Sequence, residues 1–240
     1  MHHYSLKIIL IVFYCIAFYI LFLTYSIYQS INISQKIIST TVPYEQHPPN
    51  PEIYILVAGD STAVGVGAIE NINSVAGRLG TQFPKADISN IGVSGAKLKD
   101  LLLMLQEQKI KNYNLVVLQI GANDITHNTP YDIIRKELSE ILSLTSKLNS
   151  KVIIFTSGDV GRARVFRWPL SSIITSRTLK VREIFIEEAS KYKNVSYVDL
   201  YLDRNDDPFE KNLKKYYAPD SFHLTGDGYG VWYFFIQKKL

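Results

Sequence analysis

The sequence has few of the residues that mark several common classes of protein. Its 240 residues include one cysteine, which excludes an intramolecular disulfide framework. The formal net charge is +4, and no run of Lys or Arg exceeds two residues, which argues against a nucleic-acid-binding protein. Aliphatic and aromatic residues are plentiful, so intrinsic disorder is excluded. Histidine is scarce, with five residues, and few side chains can therefore act as a general base at neutral pH.

Motifs for metals and cofactors are also lacking. The sequence has no phosphate-binding loop, no zinc-ligand spacing and no paired carboxylates of the glycosidase type. Residues 203–207 begin like a calcium loop, but Pro208 and Phe209 stand where the turn glycine belongs. Lys214 stands where the bidentate glutamate would be. No metal and no cofactor are predicted.

Charge is absent from one long apolar stretch near the N-terminus, residues 8–28. As a helix these 21 residues rise about 32 Å, enough to cross a bilayer core. Tyr25 and Tyr28 lie near its C-terminal end, where an interfacial aromatic belt is expected. The sequence thus predicts a short N-terminal segment, residues 1–7, followed by a transmembrane helix.

Two other interpretations of this stretch fit less well. A cleaved signal peptide has a shorter apolar core and a small-x-small cleavage site, which is not found after Tyr28. A lipoprotein signal needs small residues before Cys15, but Phe13 and Tyr14 stand there. Lys7 precedes the stretch, and the next cation is Lys36, so the N-terminus is expected in the cytoplasm. The remainder would be extracytoplasmic in a single-pass membrane protein.

Residues 29–52 are polar and contain four prolines, which indicates a linker that is semi-extended near its end. The charges of residues 1–52 sum to zero, so the whole net charge of +4 belongs to residues 53–240. We expect residues 53–240 to form one domain.

Strands and helices alternate along this domain. Five short runs rich in branched residues predict buried parallel strands at 53–58, 87–91, 115–120, 152–156 and 195–199. Apolar residues recur at helical spacing after Leu98 and after Ile134, and further helices are expected at 171–192 and after Thr225. This order predicts an α/β fold, a three-layer α/β/α sandwich around a five-stranded parallel sheet.

Glycine-led polar loops follow the first and third strands, at residues 59–62 and 121–124. In a flavodoxin-like sheet those two strands flank the point where the strand order reverses. Ligands bind at that point, beyond the carboxyl ends of the strands. The two loops are therefore expected to form a ligand site.

The residues of a serine hydrolase can be assembled at this site. Such an enzyme needs a nucleophile, an imidazole that takes its proton, a carboxylate that orients the imidazole, and donors for an oxyanion. Only His127 and His223 lie in the domain. Asp220 stands three residues before His223, where one turn makes the two side chains neighbours. Ser61, exposed after the first strand, is the expected partner.

Four blocks in this order resemble the SGNH or GDSL hydrolases. They are GDS at 59–61, NIGVSG at 90–95, GAND at 121–124 and DSFH at 220–223. The resemblance extends over essentially all of 53–240, and GDSTAVGVG at 59–67 is similar to a subgroup of esterases. Leu224 departs from the pattern, because many members have proline after the histidine. We expect this departure to alter the local turn rather than the chemistry.

The resemblance implies a flavodoxin-like SGNH hydrolase fold and a set of roles. Ser61 would be the nucleophile, His223 the general base and acid, and Asp220 its orienting carboxylate. The oxyanion hole would consist of the backbone amides of Ser61 and Gly95 and the side-chain amide of Asn123. Asp60 and Asp124 are expected to support their loops.

Some other polar residues are candidates for lining the substrate. Arg162, Arg164 and Trp168 follow the fourth strand and would emerge at the same edge of the sheet. His127 lies close to Asn123 along the chain. The alternative interpretation is a solvated loop with one packing tryptophan and an ordinary loop histidine.

The sequence predicts a membrane-anchored serine esterase that cleaves carboxylic esters through an acyl-enzyme. The expected substrate is a small-molecule, lipid or acylated-glycan ester. One alternative is an O-acetyl esterase or acyltransferase acting on cell-envelope glycans. Another, of a different class, is a catalytically silent binding module on the same fold.

Overall fold

The computed structural model describes residues 2–107, 113–148 and 150–240, with side chains from Lys7 onward. The strands are β1 Ile53–Gly59, β2 Ala86–Asn90, β3 Leu115–Gln119, β4 Lys151–Phe155 and β5 Val195–Tyr197. The helices are α1 His2–Thr40, α2 Ser61–Val64, α3 Val75–Gln82, α4 Leu98–Glu107, α5 Ala122–Thr126, α6 Tyr131–Ser146, α7 Leu170–Ala189, α8 Pro208–Lys211, α9 Leu213–Tyr216 and α10 Gly226–Ile236.

The five strands form one parallel sheet with the order β2-β1-β3-β4-β5. The α/β prediction is therefore confirmed, and the strand order reverses between β1 and β3 as expected. Each strand lies within one or two residues of its predicted bounds. β5 is the shortest strand, because it ends at Tyr197 after three residues.

Helices cover both faces of the sheet. Along β3, for example, Val116 and Leu118 belong to the apolar cluster on one face and Leu115 and Val117 to the cluster on the other. Successive side chains of a strand point to opposite faces, and both are buried here. The first face packs against α4, α6 and α7, and the second against α3 and α10.

Helix α1 is long and apolar enough to cross a membrane. Its candidate span covers residues 7–40 and contains an 18-residue window with a mean hydropathy of 2.6, by length and composition alone. The predicted linker begins at residue 29, but the helix continues to Thr40, so the linker is helical in its first half. No proline or glycine occurs before Pro43, so nothing interrupts the helix earlier. The helix ends near Pro43 because a proline disfavours helical geometry at the residue before it.

The C-terminal half of α1 packs on the domain through one face. Half-buried positions recur at helical spacing from Leu23 to Ile38, whereas nearly all residues from Ile8 to Phe22 are exposed. After the helix, Gln46 pairs with Ile88 of the edge strand β2 through two backbone hydrogen bonds of 3.1 and 2.7 Å. The segment 41–52 thus covers the open edge of the sheet.

Candidate active site

The turn after β1 presents Ser61 at the start of a short helix. Gly59 has a φ of +146°, and a Cβ there would lie 1.9 Å from the carbonyl oxygen of Gln119, so only glycine fits. Asp60 caps α2, because its Oδ1 accepts hydrogen bonds from the backbone N–H and the hydroxyl of Thr62 at 2.9 and 2.8 Å. Ser61 follows as the first residue of α2 and is 6% exposed.

A tight turn before α10 brings a carboxylate and an imidazole together. Oδ1 of Asp220 accepts hydrogen bonds from the backbone N–H groups of Phe222 and His223, each 3.0 Å long. These bonds leave Oδ2 of Asp220 2.5 Å from Nδ1 of His223. On the other side of the ring, Nε2 of His223 lies 3.0 Å from Oγ of Ser61. The three side chains form one hydrogen-bonded chain.

The pKa values of the two buried aspartates of the site are shifted in opposite directions. Burial is the largest single influence on Asp220 and would raise its pKa, but the hydrogen bond and charge of His223, together with the two backbone N–H groups, hold that pKa below its usual range. For Asp60, burial dominates over its hydrogen bonds from Thr62 and raises the pKa to about 6. An ionised Asp220 is suited to orient an imidazole, whereas Asp60 serves as a cap.

Side-chain hydrogen bonds connect the loops around Ser61. The amide nitrogen of Asn123 donates to the carbonyl of Ala96 at 3.0 Å, and the carboxylate of Asp124 accepts from Leu98 N–H at 3.0 Å. These bonds join the loop after β3 to the start of α4. Asn90, buried at the end of β2, donates to the carbonyl of Ala63 at 2.8 Å. These hydrogen bonds fix the loops after β1, β2 and β3 relative to one another. The bond of Asp124 agrees with its expected role in supporting its loop.

Donors for an oxyanion are available near the nucleophile. Gly95 has a φ of +85°, and a Cβ there would meet no atom within 4 Å, so conformation rather than crowding favours glycine. Among the described residues, the backbone N–H groups of Ser61 and Gly95 donate no hydrogen bond. The amide of Asn123 has two N–H donors, of which one is engaged by Ala96.

A pocket opens beside Ser61 at the carboxyl edge of the sheet. Ser61, Asn123 and His223 line it, whereas Gly95 does not. Its remaining wall includes residues that the sequence analysis did not identify: Ser157, Gly158 and Asp159 after β4, the aromatic Phe209, Tyr217 and Trp232, and Leu224. The polar segment after β4 could have been found, since it ends a neighbouring strand at the same edge. The aromatic residues lie far away along the chain and give no local signal.

The residues expected to line the substrate do not line this pocket. Arg162 points to carboxylates instead, with its guanidinium 2.9 Å from Asp207 and 3.1 Å from Asp159. His127 ends α5, and its Nδ1 lies 2.9 Å from the carbonyl oxygen of Asn123. Arg164 and Trp168 are exposed, the latter by 70%. Ion pairs hold Arg162 and a backbone contact holds His127, whereas Arg164 and Trp168 extend into solvent.

Helix α1 contacts the turn that holds Asp220 and His223, a contact that the sequence does not predict. The hydroxyl of Ser30 donates to the backbone carbonyl of Asp220 at 2.5 Å, and Oγ of Ser34 lies 3.4 Å from Nδ1 of His223. Ser30 and Ser34 are one helical turn apart, so they face the same side of α1. Ser30 and Ser34 lie in the predicted linker, and a flexible linker would make no fixed contact with the domain. The sequence therefore provides no reason to expect these contacts.

The arrangement can activate a hydroxyl group. Nε2 of His223 can take the proton of Ser61, while the carboxylate of Asp220 stabilises the imidazolium that results. Within residues 2–107, 113–148 and 150–240, no group of three or more His, Cys, Asp or Glu side chains is placed to hold a metal ion.

Comparison with known proteins identifies one matching family. The sequence model of the GDSL-like Lipase/Acylhydrolase family matches residues 57–231, and the resemblance seen in the sequence is thereby confirmed. None of the curated proteins matches the chain in sequence.

Several solved structures are similar in fold. A lipolytic protein of the G-D-S-L family from Veillonella parvula is 18% identical, with a TM-score of 0.59 over 77% of this chain and 96% of that one. A GDSL-like lipase from Bacteroides thetaiotaomicron is 20% identical, with a TM-score of 0.55 over 80% and 90%. An acetyl-xylooligosaccharide esterase from Geobacillus stearmophilus is 18% identical, with a TM-score of 0.56 over 79% and 94%. At these identities the similarity concerns the fold.

Proposed function

Because this chain belongs to the GDSL-like lipase/acylhydrolase family, we propose that it is a serine esterase that cleaves carboxylic esters through an acyl-enzyme on Ser61. The observation that carries the proposal is the hydrogen-bonded chain from Ser61 through His223 to Asp220, with distances of 3.0 and 2.5 Å. The family membership supports an ester hydrolase, and this geometry supports the choice of nucleophile.

The proposed reaction has two halves. Oγ of Ser61 attacks the ester carbonyl carbon while Nε2 of His223 takes the hydroxyl proton. The tetrahedral intermediate then expels the alcohol, which receives that proton from His223, and an acyl group remains on Ser61. A water molecule, deprotonated by His223, attacks the acyl group and releases the carboxylic acid. The proton returns to Ser61, and the enzyme is regenerated.

An oxyanion hole would stabilise the negative oxygen of both intermediates. We assign it to the backbone N–H groups of Ser61 and Gly95 and to the side-chain amide of Asn123. The two backbone groups donate to no described residue, and Asn123 keeps one N–H after its bond to Ala96. Fixed donors of this kind stabilise developing charge because they need no reorganisation during the reaction.

Replacement of the nucleophile tests this proposal. Turnover of a short p-nitrophenyl ester should fall by about 10⁶ in Ser61→Ala, by analogy with triad knockouts in other serine hydrolases. Ser39→Ala is a matched control, because the Ser39 hydroxyl bonds only within α1. Wild-type turnover by Ser61→Ala would contradict the assignment.

We also propose that α1 anchors the esterase in a membrane, with the catalytic domain on the extracytoplasmic side. The exposed apolar residues of its N-terminal half support the anchor, and Lys7 before the span supports the orientation. Protease added to intact cells should digest the domain, and protease added after lysis serves as the control. Protection in intact cells would reverse the orientation.

Acetylated glycans of the cell envelope are a second candidate substrate. The pocket combines aromatic walls with polar groups after β4, and one protein of similar fold is described as an acetyl-xylooligosaccharide esterase. Hydrolysis rates on acetylated oligosaccharides and on long-chain acyl esters distinguish this candidate from a lipid esterase. A preference for long acyl chains would exclude it.

A silent binding module on the same fold is the alternative of another class. A fluorophosphonate probe distinguishes the two, because it reacts with an activated serine and not with an ordinary one. The close approach of Ser61 and His223 favours an active enzyme.

A further inference from the structure

The loop between β4 and α7 meets helix α1 at its apolar half. The hydroxyl of Tyr19 donates to the backbone carbonyl of Trp168 at 2.6 Å, and the guanidinium of Arg167 lies 5.3 Å from the ring centroid of Phe22. Both α1 residues belong to the exposed apolar half of the helix. The loop therefore lies beside the part of α1 that is suited to lipid.

The helix sets the height of this loop relative to a bilayer. Lys7 is the last charged residue before the apolar stretch and marks one boundary of the hydrocarbon core. A core of about 30 Å, measured from Lys7 along the helix axis, ends approximately at Ile27. Tyr25 and Tyr28 are exposed at that level, as in an interfacial aromatic belt. Phe22 and Tyr19 lie about 8 and 12 Å below Ile27 along the axis, and the contacting loop lies at that depth.

The side chains of the loop suit such a position. Trp168 is 70% exposed, and Ile173 in the first turn of α7 is 57% exposed. Arg164 and Arg167 are exposed as well, and no Asp or Glu occurs between residues 160 and 182. Tryptophan favours the interface, and arginine binds phosphate oxygens while its stem lies along apolar groups.

We propose that residues 164–168, with Ile173, form a bilayer-binding surface that passes the headgroup layer and reaches the outer acyl carbons of the membrane that α1 spans. The contacts with Phe22 and Tyr19 give a depth of about 8 to 12 Å, near the upper end of the depth of interfacial elements in other proteins. The partner is a bilayer containing anionic phospholipids, which the two arginines would bind. The proposal rests on the membrane anchor of the proposed function, and it adds that the domain itself touches lipid.

A lipid-bound loop would fix the position of the catalytic site. Ser30 and Ser34, which contact the turn of Asp220 and His223, lie about 12 and 18 Å beyond Phe22 along α1. The nucleophile would therefore lie close above the headgroups. An ester group carried by a lipid, or by a molecule held at the membrane surface, would be within reach.

Tryptophan fluorescence tests the proposal on the full chain. The protein is reconstituted in phosphatidylcholine vesicles with phosphatidylglycerol, in which part of the lipid carries bromine on acyl carbons near the headgroup. Since Trp168 and Trp232 are the two tryptophans, about half of the emission should be quenched in wild type. Trp168→Phe should lose little emission, because Trp232 is only 5% exposed. Equal quenching of the two proteins would overturn the proposal.

Two parallel measurements separate this proposal from the proposed function. Carbonate extraction of the same vesicles reports whether α1 is inserted, and hydrolysis of p-nitrophenyl acetate reports on the catalytic centre. An inserted chain without Trp168 quenching overturns the surface and leaves the anchor. A chain that carbonate removes overturns both. Quenching without hydrolysis supports the surface and contradicts the esterase.

The arginines are tested by varying the lipid charge. Quenching of wild type should be stronger with phosphatidylglycerol than with phosphatidylcholine alone. The double variant Arg164→Gln, Arg167→Gln should lose this difference. Lys193→Gln, an exposed cation beyond the opposite end of α7, should keep it. The same lipid dependence in all three proteins would contradict a role of the two arginines.

Discussion

Two regions border the hydrogen-bonded chain of Ser61, His223 and Asp220, and they differ in what they contribute. At the carboxyl edge of the sheet, loops after β1, β2 and β3 hold Ser61 and Asn123 through a network of hydrogen bonds. On the other side, α1 contacts the turn of Asp220 and His223 with two serine hydroxyls. The first region carries the reacting groups, whereas the second restrains a turn from outside. Substitutions should therefore cost much more activity at the sheet edge than on the helix.

After Ser61 itself, the largest effect is expected at Asp220, which lies between His223 and helix α1. Asp220→Asn should lower kcat by about 10⁴, as the same change does in other triads, because an amide favours the wrong tautomer of the imidazole. Turnover of p-nitrophenyl acetate measures this loss, and thermal unfolding checks that the turn is intact. A loss of less than tenfold would remove Asp220 from its orienting role.

A smaller loss is expected at the oxyanion donor on the sheet edge. Asn123→Ala should lower kcat by about 10²–10³, the effect of removing one donor in other enzymes. KM should change little, because the donor acts mainly in the transition state. An unchanged kcat would exclude Asn123 from the oxyanion hole.

The cap of the nucleophile helix predicts a pH dependence of stability. The pKa of Asp60 is raised to about 6 by burial, so the folded state binds a proton that the unfolded state releases near its ordinary pKa of 3.8. The stabilisation that this bound proton gives to the folded state is complete below pH 3.8, the unfolded pKa. It is lost as the pH rises through about 6, the folded pKa. Asp60→Asn cannot ionise, so its stability relative to wild type should rise by about 2 kcal/mol from pH 4 to pH 7.

Denaturant unfolding at several pH values measures this difference. The comparison of the two proteins at each pH cancels the titration of groups that they share. A difference in the free energy of unfolding that stays constant from pH 4 to pH 7 would show that Asp60 titrates normally.

The helix side should give the smallest effects. Ser30→Ala removes the hydrogen bond to the carbonyl of Asp220 and should cost about 1 kcal/mol of stability, with a few-fold loss in kcat. Ser34→Ala should cost less, since its contact to Nδ1 of His223 is 3.4 Å long. Ser39→Ala, which loses only a bond within α1, is the control for both.

A pH profile of kcat distinguishes positioning from a structural role on the helix side. If α1 positions the histidine, Ser30→Ala should shift the profile as well as lower the rate. A loss of stability with an unaltered profile would show that α1 only supports the fold. A loss as large as that of Asn123→Ala would contradict the difference between the two regions.

Much of the sheet edge could be predicted from the sequence. Branched runs located all five strands, and the spacing of Asp220 and His223 is local, so it could be interpreted without tertiary information. Glycine-led loops after β1 and β3 pointed to the correct end of the sheet. These features depend on periodicity and short-range geometry, which a single sequence contains.

The helix side could not be predicted in the same way. Pro43 and its neighbours suggested an extended tether from residue 29, but helical residues before them pack on the domain. Arg162 was expected in the substrate site, yet Asp207, far along the chain, neutralises it. The aromatic walls of the pocket, such as Trp232, also come from distant segments. Contacts of this kind depend on tertiary packing.

The central claim is that Ser61 is the activated nucleophile of this chain. The most direct measurement is labelling of the full-length protein with a fluorophosphonate probe, followed by mass spectrometry of its peptides. An activated Ser61 should give one adduct, on Ser61 itself, which Ser61→Ala abolishes and which denaturation before labelling prevents. An unmodified Ser61, or undiminished labelling of Ser61→Ala, would contradict this claim.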